Sequence, residues 1–271
     1  MSGAPARRVV VVGAGAAGTM AAIFAARAGA DTLLLERTPD GGRKILISGG
    51  GRCNILPSRV DESRFVTDSS HHTLRNIVRS WPLGEQIAFF EGELRLPLVE
   101  EPESAKLFPV SNRARDVRDG LLDLAARGGA RFAAGTAVAD LLPDGRHWRV
   151  LVDQGPPIET DAVIVATGGL SVPQTGSDGR GLAILARLGH VLHPTYPALT
   201  PLLAEPHPLD GLAGVSLGVE LSIKDGQRHA EARGGFLLTH RGYSGPAVLD
   251  VSHVAVRARM EGRGSARLQI R

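Results

Sequence analysis

The chain has 271 residues, 43% hydrophobic and 22% charged, which is typical of a folded globular protein rather than a disordered one. Its net charge is only +3, and its arginines are spread among acidic residues, so we expect no nucleic-acid partner. No stretch reaches the roughly 18 apolar residues of a membrane span, so we expect no membrane partner. The single cysteine, Cys53, excludes an intrachain disulfide and fits a reducing, cytoplasmic location.

The N-terminal residues predict a strand–helix–strand unit. Residues 8–12 contain four consecutive valines, which is typical of a parallel strand that is buried on both faces. Residues 16–28 predict a helix, and residues 31–36 predict a second strand. The pair Arg7-Arg8 also fits a twin-arginine export signal, but glycines interrupt the apolar stretch that follows, and we prefer the folded interpretation.

A G-x-G-x-x-G sequence separates the first strand from the helix, and in this context it predicts binding of a dinucleotide diphosphate. It consists of Gly13, Ala14, Gly15, Ala16, Ala17 and Gly18. The first glycine permits a tight turn, the second lets the diphosphate approach the backbone, and the third allows the helix to pack closely on the strand. Glu36, at the end of the second strand, is placed to bind ribose hydroxyls and to repel a 2′-phosphate. Arg37, which follows it, is a further candidate.

A second glycine-rich stretch contains basic residues between its glycines, which suggests a loop built around an anion. The candidate cofactor-binding residues in it are Arg43, Lys44, Ser48, Gly49, Gly50, Gly51, Arg52, Cys53 and Asn54. With Gly42, this stretch resembles the G-R-K-x-x-x-S-G-G-G-R-C-N hallmark of the YhiN/BaiN-type flavoproteins, also known as NAD(P)/FAD-dependent or aminoacetone-oxidase-like oxidoreductases. Residues 108–114, 166–177 and 239–247 match the same family.

The resemblance implies an α/β fold: a Rossmann-like FAD-binding domain of the glutathione-reductase type, followed by a smaller β-rich domain. It places Arg43 and Lys44 along the FAD phosphates or ribityl chain and residues 48–54 near the isoalloxazine ring. It also places the backbone of Val138 at the adenine. The turn expected to pass near the cofactor consists of Ala166, Thr167, Gly168 and Gly169.

Two residues of the second stretch also have structural interpretations. Arg52 could form a structural salt bridge instead of contacting the cofactor. Cys53 has no second cysteine to pair with, so packing or cofactor contact is a better interpretation than a redox role.

The composition of the sequence changes near residue 192, where prolines become frequent and segments of alternating apolar and polar residues follow. We therefore predict an FAD domain at 1–192 and a β-rich, incomplete second domain at 193–271. Members of the family continue into a C-terminal segment that returns to the FAD domain, and this sequence lacks it, so we expect a fragment or a truncated gene product. His240 is the one catalytic candidate. The other histidines show no metal-ligand spacing, so no metal is expected.

These observations favour an FAD-dependent oxidoreductase that transfers a hydride between a small organic substrate and the flavin. Since no second G-x-G-x-x-G is present, NAD(P)H is expected only as a transiently docking reductant. The alternatives are an NAD-dependent dehydrogenase and a truncated nucleotide-binding remnant without activity. The sequence specifies neither the substrate nor the oligomeric state.

Overall fold

The structure is a computed structural model that describes residues 6–205 and 209–271. It divides into two compact units, residues 1–190 and 191–271. The expected assignment of an FAD domain to 1–192 and a second domain to 193–271 stays a prediction. His207, one of the histidines considered above, lies outside the described residues.

The first unit alternates strands and helices and adds two small sheets. In chain order its elements are β1 (Arg8–Val12), α1 (Ala16–Arg27), β2 (Asp31–Leu35), α2 (Arg43–Ile47), β3 (Leu56–Pro57), α3 (His71–Arg79), α4 (Leu83–Ala88), β4 (Leu98–Glu101), β5 (Lys106–Pro109), α5 (Ala114–Arg127), β6 (Arg131–Ala133), β7 (Val138–Asp144), β8 (His147–Val152), β9 (Ile158–Thr160), β10 (Ala162–Val165) and α6 (Arg180–Arg187).

A four-stranded parallel sheet in the order β10-β1-β2-β6 forms the centre of this unit. Successive side chains of a strand point to opposite faces, so the valines of β1 enter two different cores. Val11 packs with α1 and α5 on one face. Val10 and Val12 pack on the other face with α6 and the antiparallel sheet β7-β8-β9. This arrangement explains why β1 is an uninterrupted apolar run.

The stretch between β2 and β5 is more structured than its composition suggests. Residues 38–57 include the short helix α2 and a tight turn at 48–51, in which Gly49 and Gly50 adopt left-handed backbone angles. After this turn, β4 begins at Leu98 and pairs with β5 in the antiparallel sheet β3-β5-β4. The strand, helix and strand predicted at 8–12, 16–28 and 31–36 agree with β1, α1 and β2 to within one residue.

The second unit is a five-stranded antiparallel sheet with one long helix packed on it. Its elements are β11 (Leu202–Leu203), β12 (Ser216–Lys224), β13 (His229–Thr239), β14 (Gly242–Ser244), α7 (Pro246–Met260) and β15 (Arg267–Ile270). The strand order is β11-β14-β13-β12-β15, and the apolar face of α7 covers residues such as Phe236 and Leu221. The sequence predicts a β-rich second domain here but no helix, so α7 is an addition to that expectation.

Candidate functional site

The carboxyl ends of β1, β2 and β10 meet at one edge of the parallel sheet. β1 lies between the other two strands: the chain continues from β1 through α1 to β2 on one side, and β10 is added much later on the other side. Ligands of α/β sheets bind outside the carboxyl ends of the strands at such a switch point. Hydrogen bonds fix the three ends together: Gly13 N–H donates to the Leu35 carbonyl at 2.8 Å, and Ala166 N–H donates to the Val12 carbonyl at 2.8 Å. A cavity of about 440 Å³ opens at this edge, within the range of small-molecule sites.

The three glycines of the first motif have three different surroundings. Gly13 has a left-handed backbone, and a Cβ there would lie 2.7 Å from the Ala166 carbonyl oxygen. A Cβ on Gly18 would lie only 1.7 Å from the Gly13 carbonyl oxygen, so α1 packs directly against the turn. A Cβ on Gly15 would meet nothing within 4 Å, and this residue lines the cavity at the N-terminus of α1. The bare backbone of Gly15 therefore faces open space at the positive end of a helix dipole.

Glu36 lies directly after β2 and is buried with its carboxylate satisfied by nearby donors. One carboxylate oxygen accepts from Ala14 N–H at 2.8 Å. The other accepts from the backbone N–H and the hydroxyl of Thr38, both at 2.8 Å. Glu36 lines the cavity and at the same time ties the glycine turn to the segment after β2. An ionised carboxylate offers about four lone-pair sites, so one remains for a ligand hydroxyl.

One end of the cavity is bounded by ion pairs. Arg37 pairs with Asp178 at 2.5 Å, and the hydrogen bond from Arg37 holds the pKa of that carboxyl below its usual value. Arg180 pairs with Asp153 at 3.1 Å and lies 3.5 Å from the Val138 carbonyl oxygen. The Arg180 guanidinium therefore lies beside the backbone of Val138, and both residues line the cavity.

The second glycine-rich stretch divides into residues that line the cavity and residues that do not. Gly42 has a left-handed backbone and packs on Arg118, and the helix α2 that follows brings Arg43 and Lys44 to the cavity. Arg43 pairs with Asp40 at 2.9 Å. Ser48, Cys53 and Asn54 also line the cavity. The predicted cofactor-binding residues of the stretch that lie outside the lining are Gly49, Gly50, Gly51 and Arg52.

Arg52 interacts with protein groups away from the cavity. Its guanidinium lies 4.2 Å from the centre of the Phe108 ring and pairs with Glu101 at 2.9 Å. Such contacts stabilise local packing. The salt-bridge interpretation of Arg52 is therefore the one that this geometry favours.

Cys53 is a buried thiol. Burial raises its pKa to about 11, so the thiol is protonated at neutral pH and is a poor nucleophile. Its backbone is left-handed, and its N–H donates to the Ser48 carbonyl at 2.9 Å, which closes the turn. Contact with a bound molecule and packing are the roles that this environment permits.

Most of the predicted cofactor residues come together around the cavity. Those that line it are Gly13, Gly15, Ala16, Ala17, Glu36, Arg37, Arg43, Lys44, Ser48, Cys53, Asn54, Val138, Ala166, Thr167 and Gly168. Outside the lining are the turn and packing residues Ala14, Gly18 and Gly169, with the four already named from the second stretch. His240 is exposed in the turn between β13 and β14, in the second unit, and is not part of this lining.

Sequence reasoning missed several lining residues. Ser177 and Asp178 come from the loop before α6, and Arg180 is the first residue of α6. Ser177 ends the matched stretch 166–177 but was not predicted as a site residue, and Asp178 and Arg180 lie beyond that stretch. Apolar lining residues such as Phe90 and Leu121 look like ordinary core positions of a helix and give no signal in the sequence. Within residues 6–205 and 209–271, no group of three His, Cys, Asp or Glu side chains is arranged to hold a metal ion.

Residues 7–246 match the family described as the HI0933-like protein Rossmann domain. The chain belongs to this family. The match confirms the resemblance to YhiN/BaiN-type proteins and the expected fold class, a Rossmann-type α/β domain with additional sheets.

Two curated relatives are similar over most of this chain. A 3-dehydro-bile acid delta(4,6)-reductase of Clostridium scindens is 31% identical over 94% of this chain and 62% of its own length. A ribosomal RNA dihydrouridine synthase of Escherichia coli is 31% identical over 90% of this chain and 60% of its own length. The chain therefore spans about three fifths of each relative.

A solved structure supports the fold. The 3-ketosteroid-delta4-(5alpha)-dehydrogenase of Rhodococcus jostii RHA1, in complex with 4-androstene-3,17-dione, superposes with a TM-score of 0.51 at 17% identity. The similarity covers 80% of this chain and 57% of that one. Among the described residues, no helix combines the length and apolar character that crossing a membrane requires.

Proposed function

We propose that this protein is an FAD-dependent oxidoreductase and that the cavity at the carboxyl edge of the parallel sheet binds the FAD. The observation that carries the proposal is Gly15, whose bare backbone faces open space at the start of α1. A dinucleotide diphosphate needs such a position, because backbone N–H groups and the helix dipole bind it best without an intervening side chain. Membership of the family and a reductase among the relatives support the same class of function.

Different lining residues are suited to bind different parts of FAD. Glu36 offers its remaining lone pair to the adenosine ribose, and Arg180 and the Val138 backbone lie where the adenine would be bound. Gly15 and Lys44, which both line the cavity, would face the diphosphate. Ser48, Cys53 and Asn54, with the apolar wall that includes Phe90, would contact the flavin. The predicted residues outside the lining act through packing and turn geometry.

FAD, when bound, would supply hydride transfer at the flavin ring. The protein's own contribution is position and electrostatics: a fixed turn for the diphosphate, a carboxylate for the sugar, and a neutral thiol beside the ring. We propose a small organic substrate and a transiently bound NAD(P)H as reductant. The named substrates of the two relatives differ, one a 3-dehydro-bile acid and the other a ribosomal RNA, so they do not define the substrate of this chain.

The remaining expectations about the whole protein are proposals of the same kind. We place the FAD-binding function in residues 1–192 and a second, β-rich domain in residues 193–271, and we place the protein in the cytoplasm. The expected absence of a nucleic-acid partner stays a prediction, since one relative is named for ribosomal RNA.

A thermal-shift titration of the flavin-free protein tests the proposal. A ligand that binds only the folded state raises the melting temperature according to its concentration relative to its Kd. We expect FAD to raise the melting temperature at micromolar concentration and NAD to have no effect there. A shift with NAD alone would point to the alternative dehydrogenase, and no shift with either would favour the inactive remnant.

A further inference from the structure

Among the basic side chains of the cavity, only Lys44 lacks an acidic partner within the part of the chain that the structure describes. The three arginines of the lining each pair with a carboxylate, as Arg37–Asp178, Arg43–Asp40 and Arg180–Asp153. Lys44 Nζ instead donates to the hydroxyl oxygen of Ser177 at 2.8 Å. The half-buried ammonium therefore brings a positive charge to the cavity that no described carboxylate neutralises.

Ser177 is built into a fixed position. Its side chain is buried, and it comes from the loop before α6, far in sequence from Lys44. Both groups lie over Gly168, where a Cβ would be 2.8 Å from the Ser177 hydroxyl oxygen and 3.8 Å from Lys44 Nζ. Gly168 also has a left-handed backbone that favours glycine. The turn after β10 therefore leaves room for the hydroxyl and the ammonium at its surface.

Lys44 is already assigned to the diphosphate under the proposed function. We propose in addition that Ser177 is a positioning residue, whose hydroxyl holds the Lys44 ammonium in place for that diphosphate. This inference rests on the proposed function. An ammonium has three N–H donors, and the bond to Ser177 uses one, which leaves two for phosphate oxygens. Charge-assisted hydrogen bonds of this kind are strong when the donor is held in place.

The test is the Kd of FAD and of ADP for the flavin-free full chain, measured calorimetrically at several salt concentrations. We expect Lys44→Gln to weaken both ligands about 10- to 100-fold, the effect of losing a hydrogen bond to a charged group. Its Kd should also depend less on ionic strength than that of the wild type, because one screened charge pair is gone. Lys224→Gln makes the same change on an exposed strand residue of the second unit and should match the wild type.

The serine variants separate positioning from general structural damage. Ser177→Ala should weaken FAD and ADP by about 3- to 10-fold, and Ser177→Thr, which keeps a hydroxyl, should restore most of the affinity. Thermal unfolding of each ligand-free variant shows that it is folded. If Lys44→Gln fails to fold, the Ala and Thr variants of Ser177 still decide the matter.

The possible results distinguish this inference from the proposed function. A wild type that binds neither FAD nor ADP overturns both. A wild type that binds FAD while Lys44→Gln binds it equally well, or with an unchanged salt dependence, overturns only the role of Lys44. A loss for FAD without a loss for ADP would assign Lys44 to the flavin instead of the diphosphate, and would also overturn it. Equal weakening in Ser177→Ala and Ser177→Thr would overturn the role of the hydroxyl.

Discussion

Alanine substitutions at Gly18 and Gly15 of the first motif should damage different properties, protein stability in one case and FAD binding in the other. A Cβ at residue 18 would lie 1.7 Å from the Gly13 carbonyl oxygen, although non-bonded heavy atoms are separated by about 3.5 Å. The partner is a backbone atom, so no side-chain rotation relieves the overlap, and α1 must move away from the turn. At residue 15 the new Cβ would meet nothing within 4 Å, and the backbone angles there suit any residue.

The magnitudes follow from these contacts. Overpacking costs about 1–3 kcal/mol, and a backbone overlap of this depth belongs at or beyond the upper end. Alanine regains about 1 kcal/mol of helix propensity, so Gly18→Ala should lose at least about 2 kcal/mol, or about 4–8 °C in melting temperature. Gly15→Ala should lose no more than about 1 kcal/mol, the preference for glycine over alanine at a helix N-cap.

Thermal unfolding of the flavin-free proteins, followed by FAD titration, measures both effects. Gly18→Ala should unfold at a clearly lower temperature. Gly15→Ala should retain its stability but bind FAD at least about tenfold more weakly, because its methyl group occupies the approach of the diphosphate. A Gly18→Ala protein as stable as the wild type would refute the packing argument. A Gly15→Ala protein with unchanged FAD affinity would refute the placement of the diphosphate.

Three further predictions concern other residues of the first unit. Glu36→Gln should lower the stability of the flavin-free protein by about 2–3 kcal/mol in urea unfolding, because the buried carboxylate accepts three hydrogen bonds; a loss below about 0.5 kcal/mol would contradict this. Burial raises the pKa of Cys53 from 9.0 to about 11, so this thiol contributes stability below pH 9 that is lost as the pH rises to 11. The fall, about 2 kcal/mol, should be absent in Cys53→Ala, and parallel curves for the two proteins would count against it. Arg52→Ala should cost about 1 kcal/mol of stability through its contacts with Phe108 and Glu101, while the Kd of FAD changes less than about threefold; a larger change would place Arg52 at the cofactor.

The parts of the fold that depend on local signals were predictable from the sequence. The valine run of β1, the glycine turn and α1 follow one another within twenty residues, and each favours the same βαβ unit. By contrast, α7 was not predicted from the sequence. Pro246 suggests a helix-breaking position, and the valines of the segment that follows favour strands in isolation. Packing against the sheet of the second unit overrides that preference, and Pro246 occupies the first turn of the helix, where proline is well tolerated.

The candidate site was predictable only where a motif carries it. The glycines and Glu36 have fixed spacing, so the edge of the cavity could be anticipated. Ser177 reaches Lys44 across 133 positions of the chain, and no local pattern records that contact. No local pattern records the contacts of Arg52 either. Its partner Glu101 lies at the end of β4, and the ion pair between them holds the Arg52 side chain outside the cavity lining.

The most direct measurement is an experimental structure of the FAD complex. We expect the diphosphate within hydrogen-bonding distance of the backbone at Gly15 and of Lys44 Nζ, with the adenosine ribose at the Glu36 carboxylate. FAD bound elsewhere on the protein, or a diphosphate that lies away from the start of α1, would contradict the proposed site.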